Sequence, residues 1–443
     1  MSLASAGGNA VAATYYVAPG GSDANPGSFD RPFKTLTAAS RKLVPGDTLY
    51  ARGGTYVERL VISKSGTAAA PLAVRAYPGE TPVIDGQNRL AANWSNLVAL
   101  TGTYIEFSGF EVRNGLGQGI NMVGPHNIVR RCDVHHHAAR GIIAAGDYSL
   151  VEASTIWWNA TDNCRLSTCP PTKTPNGGWG SGLSAAKDPV DGLTQHAVLR
   201  GNTVFNNWGE GLSTFQADDT TLEGNVVYDN WAANLYVSDA TNAWVAGNLI
   251  YFSANPAVGR VAINIALADE KGTPASRGTT LVNNLVKGGS LNLKWWADRR
   301  FPQGKLQDVL IANNTFVDTQ STNVQSASLA IDAAAHVNVQ IRNNLVKQDT
   351  APRCINVGAG DITFSANLWS KAPNAAASAG NDVVGSPQLA QTGPVAAGAL
   401  TGDYFTLTPT SPAIGRADLL SDVLDDYFGT PRDTTPDIGA DEF

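Results

Sequence analysis

A charged, aromatic run in this 443-residue chain, Lys294-Trp295-Trp296-Ala297-Asp298-Arg299-Arg300, carries side chains suited to chemistry on an acidic sugar. Lys294 could remove a proton from the carbon beside a carboxylate if nearby cations depress its pKa. Arg299 and Arg300 could neutralise that carboxylate and the charge that develops on it. Trp295 and Trp296 are candidates to stack on sugar rings. Asp239, Asp269, Glu270 and Asp298 are candidate oxygen ligands for calcium, the cofactor such chemistry implies. Together these roles describe β-elimination on a uronate. Glycoside hydrolysis needs two carboxylates flanking the bond instead, and Glu210 with Asp188, Asp191 or Asp239 is the candidate set. Glu210 stands out because Trp179-Gly-Ser-Gly-Leu-Ser184 and Trp208-Gly-Glu-Gly-Leu-Ser213 differ only at Ser181 and Glu210. A structural pairing of Glu210 with Arg140 competes with the catalytic reading, as solvation competes for every charge named here.

The elements that must hold these residues are written in a repeat. Asn recurs at 202, 225, 248, 284, 314, 344 and 367, in steps of 23, 23, 36, 30, 30 and 23 residues. Degenerate copies extend the series back through Ser154 and Asp133 to Phe110. A period near 23, with insertions but no shorter unit, marks a solenoid in which each repeat is one coil. Within a coil, short stretches alternate apolar and polar residues between Gly/Asn breaks, which reads as strands joined by tight corners. No repeat carries a 3.6-period apolar stripe, so the repeats are not helical, and one short helix through Leu43 is expected in the N-terminal cap. Asn tolerates a left-handed corner, and its amide can bond the Asn one coil above. The expected fold is all-β: a single-stranded right-handed parallel β-helix of about ten coils with an N-terminal cap.

A second row of strands follows each corner by about ten residues. Its outward positions are expected at Asn121, Ile143, Ser184, Ser213, Tyr236, Asn264, Asn292, Ala330 and Asn356, then Phe215, Ser238, Lys294 and Asp332. Tyr236, Phe215, Asn264 and Asn292 are therefore added to the substrate-binding candidates. The stretched steps mark insertions after Ser154, after Asn248 and after Lys294. Loops on a rigid scaffold are where binding residues gather. Trp208 and Trp231, one period apart, read as structural aromatics. His135-His136-His137 reads as a polar corner, because consecutive strand residues alternate faces.

The chain is expected to divide into a leader (1–14, with Met1 to Leu3 an expression scar), an N-terminal cap with the first coils (15–90), the helix core (91–384) and a closing segment (385–443). Tyr15-Tyr-Val-Ala-Pro-Gly-Gly-Ser-Asp-Ala-Asn-Pro-Gly27, Pro32-Phe-Lys-Thr-Leu36 and Pro45-Gly-Asp-Thr-Leu-Tyr50 closely resemble the opening segment of secreted right-handed parallel β-helix proteins, including family 9 pectate lyases. The resemblance implies a secreted protein acting on an acidic polysaccharide, with a polysaccharide lyase favoured. A glycoside hydrolase, a uronate epimerase or a non-catalytic glycan-binding surface protein are the alternatives. Calcium-dependent lyases of that shape carry an Asp cluster on consecutive coils with a Lys or Arg base. This chain has Gly209-Glu-Gly-Leu212 and then Asp218-Asp219 there, so that catalytic set does not transfer residue by residue.

Charged residues make up 16% of the chain and the net charge is −7, which argues against a nucleic-acid partner. No run approaches 18 uninterrupted apolar residues, so no membrane span is expected, and a monomer is. Cys164 and Cys169 are close enough to clip a Pro-rich loop, which would imply an oxidising compartment. Cys132 and Cys354 read as buried thiols.

Overall fold

The computed structural model describes residues 12–93, 95–164, 166, 180–186, 192–320 and 327–443. Met1 to Leu3, Cys169, Trp179, Asp188 and Asp191 lie outside the described residues. Three parallel sheets of 13, 12 and 13 strands wrap one core as a right-handed parallel β-helix. One coil runs through Val198–Arg200 in sheet I, Thr203–Phe205 in sheet II and Leu212–Asp218 in sheet III. The alternation works as the sequence implies. Leu199, Val204 and Leu212 are fully buried and stack under Leu222, Val227 and Leu235 of the next coil.

The corner between sheets I and II explains the repeat. Its first residue is left-handed, with φ of +61° at Gly201, Gly224 and Gly247. Asn283, Asn313 and Asn343 occupy the same seat at 52°, 52° and 57°, since Asn tolerates this region nearly as Gly does. The Asn that follows faces inward. Asn202, Asn225, Asn248, Asn284, Asn314, Asn344 and Asn367 are bonded amide to amide at 2.9–3.1 Å. Before Asn202 the seat is held by Ser154 and then Cys132, whose N–H donates to Ser154 Oγ at 3.2 Å. The expected corner at Asp133 is thus displaced by one residue, because Asp133 opens the strand Asp133–His135.

A second amide series, which the repeat did not announce, lies between sheets II and III. It runs Asn159, Asn207, Asn230, Asn234, Asn264 and Asn292 at 2.9–3.0 Å and ends on Ser328 Oγ at 3.0 Å. His137 fills its early rung: its Nδ1 accepts from Gly115 N–H, and its own N–H donates to Asn159. Burial pushes the His137 ring down to about 3. This is a neutral structural group, and the metal reading of the three histidines gains nothing from it.

The N-terminal segment covers the first coils, and the C-terminal segment lies along one side of the helix. Thr14–Val17 pairs with Thr48–Ala51 as the first rungs of sheet I, and the helix Leu36–Ser40 buries Leu36 and Ala39 over the core. Residues 385–443 pack on sheet II, where Leu400, Phe405 and Ile438 meet Tyr251, Leu285 and Leu345. Among the described residues no helix is long and apolar enough to cross a membrane. Cys164 is disulfide-bonded, while Cys132 and Cys354 are free and buried.

Candidate functional site

Sheet III is the face on which the predicted residues can be tested, because its strands lengthen where the insertions occur. Leu212–Asp218, Leu235–Thr241, Ile263–Asp269 and Leu291–Ala297 each span seven residues. Strand register fixes one outward row as Ser184, Ser213, Tyr236, Ala266 and Lys294, and the next as Ala186, Phe215, Ser238, Ala268 and Trp296. The sequence expectation holds through Tyr236, slips by two residues at Asn264 and Asn292, and holds again at Ala330 and Asn356. Leu235 is level with Ile265, not Ile263, so Asn264 and Asn292 fall one turn early. Both are fully buried in the second amide series and present nothing to a substrate.

The same register separates the two tryptophans. Trp295 points into the core, 1% exposed, with its ring edge-on to His336 at 4.6 Å. It cannot serve as a sugar platform. Trp296 points outward and lies 6.1 Å from Tyr236 at an interplanar angle of 30°. With Phe215, Ala266 and Ala268 these rings make an aromatic and small-residue floor.

Over this floor comes the chain that follows Asp269. Lys271 and Gly272 donate backbone N–H groups to Asp239 Oδ1 at 2.8 and 2.6 Å, and Ser238 Oγ donates to Asp239 Oδ2 at 2.8 Å. On the other side Asp269 accepts from the N–H groups of Ser276 and Lys305 at 2.8 and 3.0 Å. Asp239 and Asp269 are fully buried and hold loops. Asp298 is engaged by Arg300, whose guanidinium holds that carboxyl down to about 2. The four predicted calcium ligands therefore do not converge. Among the described residues no group of three His, Cys, Asp or Glu side chains could hold a metal ion.

The clamped loop sets Glu270 beside Glu210, and a groove opens around the two. One part, of about 270 Å³, is lined by Arg140, Ser181, Ser184, Ser213, Phe215 and Lys271. The other, of about 420 Å³, is lined by Ala232, Ala233, Arg260, Ala262, Ile263, Ser290, Leu291 and Trp296. Glu210, Tyr236 and Glu270 line both. Burial pushes the Glu210 carboxyl up to about 7; the charge of Glu270 adds to this and Arg140 opposes it. Ser181 Oγ lies 3.4 Å from Glu210 and 2.8 Å from Ser213 Oγ. No ion pair within 4 Å joins Arg140 to Glu210, so the expected structural pair is a longer-range interaction across the groove. Burial, reinforced by Glu270, raises the Tyr236 hydroxyl, keeping it protonated.

Lys294, the predicted base, is paired with Asp332 and lines neither part of the groove. Arg299 and Arg300 are exposed beyond its edge. What sequence reasoning missed is the grouping: Glu270 lines the groove together with Glu210, and Arg140 and Lys271 are groove cations. The insertion carrying Asp269-Glu270-Lys271 was the available signal.

The model of the Pel9A-like right-handed β-helix region matches residues 15–249, which is more than half of the chain. The chain belongs to the Pel9A-like right-handed β-helix family. Pectate lyase PEL9 of Emericella nidulans is 30% identical over 225 residues, covering 47% of this chain and 50% of that protein. Pectate lyase L of Dickeya chrysanthemi is 29% identical over 217 residues, covering 44% and 50%. The chain thus spans about half the length of these relatives. The crystal structure of pectate lyase Pel9A superimposes with a TM-score of 0.59 at 20% identity, covering 98% of this chain and 97% of that one. At that identity the likeness is one of fold. Within this Pel9A-like chain the matched region holds Arg140, Ser184, Glu210 and Tyr236, while Glu270, Ile263 and Trp296 lie beyond it.

Proposed function

We propose that this chain is a secreted enzyme that cleaves an acidic polysaccharide by β-elimination, with Glu210 and Glu270 as its acid and base. The observation that carries the proposal is the Glu210 carboxyl, raised to about 7 in a groove it shares with Glu270 over an aromatic floor. A carboxyl held protonated near neutral pH is suited to give a proton to the leaving oxygen, with a second carboxyl group close by to take the other role. Glu270 takes the C5 proton of a uronate. The electron pair forms the C4–C5 double bond as the C4–O bond breaks, and Glu210 gives its proton to the leaving oxygen. Arg140 and Lys271 line the polar wall, where cations stabilise the uronate carboxylate and the charge that develops on it. The relatives, named as pectate lyases, support the same reaction class. Among the described residues the donor set does not fit calcium. The disulfide at Cys164 supports an oxidising, extracellular location.

Hydrolysis is the second reading, favoured by the carboxylate pair itself. Glu210 would again protonate the leaving oxygen, while Glu270 would draw its proton from water or attack the sugar directly. Incubation with pectate, alginate and glycosaminoglycans tests both. Elimination yields ultraviolet absorbance from the C4–C5 double bond. New reducing ends without absorbance would replace it with hydrolysis. Either activity should persist in chelator and fall by about 10²–10⁴-fold in Glu210→Gln.

A further inference from the structure

The two parts of the groove differ in chemistry, and the difference runs along the helix axis. The N-terminal part is polar. Arg140 and Lys271 face it, Ser181 and Ser213 share a hydrogen bond at 2.8 Å, and Lys271 Nζ lies 4.7 Å from the Phe215 ring centre. Ser184 is 1% exposed, and among the described residues its Oγ has no hydrogen-bond partner. A buried hydroxyl without a partner is uncommon, and a ligand oxygen is the kind of group that satisfies one.

The C-terminal part is walled by Ala232, Ala233, Ala262, Ile263, Leu291 and Trp296. Its cation, Arg260, is laid over the Trp231 ring at 4.4 Å. Burying a sugar carboxylate against alanine, isoleucine and leucine strips its water without replacing those hydrogen bonds. A methyl group placed there gains from burial instead. Ala262, Ile263, Leu291 and Trp296 all lie beyond residue 249, outside the segment the family model matches.

We propose that the groove takes a polysaccharide of alternating composition, with an acidic sugar in the polar part and a neutral, methyl-bearing sugar in the apolar part. The junction of the two parts, at Glu210 and Glu270, is then where the bond between the two sugar types lies. This inference rests on the reading of the groove as a glycan-cleaving site, but it concerns which sugar sits on which side.

The methyl group has two chemical sources, an N-acetyl substituent or a 6-deoxy carbon. The test therefore uses three oligosaccharides of equal length: uronate only, uronate alternating with N-acetylhexosamine, and uronate alternating with 6-deoxyhexose. Binding is measured calorimetrically on Glu210→Gln, which separates recognition from turnover. One alternating probe should bind about tenfold or more tighter than the uronate-only probe, the discrimination an apolar pocket gives for a methyl group. Which one does so identifies the source. Adding Trp296→Ala or Ile263→Asp, each checked for native circular dichroism, should bring the ratio of alternating-probe to uronate-only affinity down to about one. Equal or tighter binding of the uronate-only probe overturns the proposal, as does a preference that survives both substitutions. A native enzyme that cleaves the uronate-only probe best keeps the catalytic reading and sinks this one. Preferential binding of an alternating probe that the native protein never cleaves does the reverse, and binding of none of the three defeats both.

Discussion

The two buried amide series run side by side through the same coils, yet only one of them keeps its place. The series from Asn202 to Asn367 occupies one corner seat in every coil, even where the spacing stretches to 36 residues. The series from Asn159 changes seat. Asn230 donates to Asn234, four residues on in the same coil, because its counterpart one coil later is Ser253. Ser253 is turned to Asp229 by bonds of 2.7 and 2.6 Å, and the chain leaves the coil through residues 254–262. The next rungs are then Asn264 and Asn292, at the mouths of the following sheet III strands. Ala232 and Ala233, caught between the old seat and the new one, line the groove together with Ala262 and Ile263. The same insertion leaves the first corner intact and forces the second series to move, and the groove opens where the seat has moved.

Breaking this comparison is most direct at the groove itself. Glu210→Gln should lower turnover by about two to four orders of magnitude with the thermal midpoint nearly unchanged. A parallel loss of stability would mean that Glu210 belongs to the scaffold. Next in size, Asn284→Ala should cost about 3 kcal/mol in denaturant unfolding, since Asn284 Oδ1 accepts both the N–H and the Nδ2 of Asn248, at 3.0 and 2.9 Å. Asn264 Oδ1 accepts only from Asn234 Nδ2, so Asn264→Ala should cost about half as much. It should also reduce activity, because the moved seat shapes the groove wall. Equal losses of stability and activity in both variants would erase the distinction between the two series.

A pH series sharpens the comparison further. Folding raises the Glu210 pKa from 4.5 to about 7, so the folded state holds a proton that the unfolded chain has released. Its contribution is fully present below about pH 4.5 and is lost as pH rises toward and through about 7. Activity that needs the proton should fall over the upper part of that window, and Glu210→Gln should remove this component of the stability profile. The smallest effect is expected at Lys294, whose pairing with Asp332 is at the surface: Lys294→Ala should cost under about 1 kcal/mol and leave turnover within a few-fold. A collapse of turnover would restore Lys294 as the base.

The fold was legible because its rule is local. A left-handed seat followed by an inward amide favours Gly or Asn and then Asn, and that pair recurs at the corners from Gly201 to Asn344, with Ala366 in the seat before Asn367. The rule blurs where Cys132 and Ser154 replace Asn, which is why the sequence pointed to Asp133. The outward rows were legible only while the coils stayed in step. A slip of two residues preserves strand parity, so Asn264 and Asn292 looked like surface residues when they were rungs. Trp295 and Trp296 are adjacent and of one type, and only the register decides which faces the core. The acidic residues were hardest. Nothing in the spacing of Asp239 and Asp269 says that their oxygens are spent on backbone N–H groups, while Glu270, one residue further, is held over the groove by the same contacts.

The long corner series has one more consequence. In every pair the oxygen faces the earlier coil and the nitrogen faces the later one, so the side-chain amide dipoles from Asn202 to Asn367 all point the same way. Aligned amides add their partial charges and polarise one another, as they do along an α-helix. The positive end of this column is the C-terminal one, and there the backbone N–H of Asn367, the donor that in earlier coils meets the next Asn Oδ1, donates to a carboxylate, Asp382 Oδ1, at 2.9 Å. The rod is electrically directional: reversing one amide would set two donors against each other on one side and two acceptors on the other. An anionic stop at the positive end is the counterpart of an acid at the start of a helix.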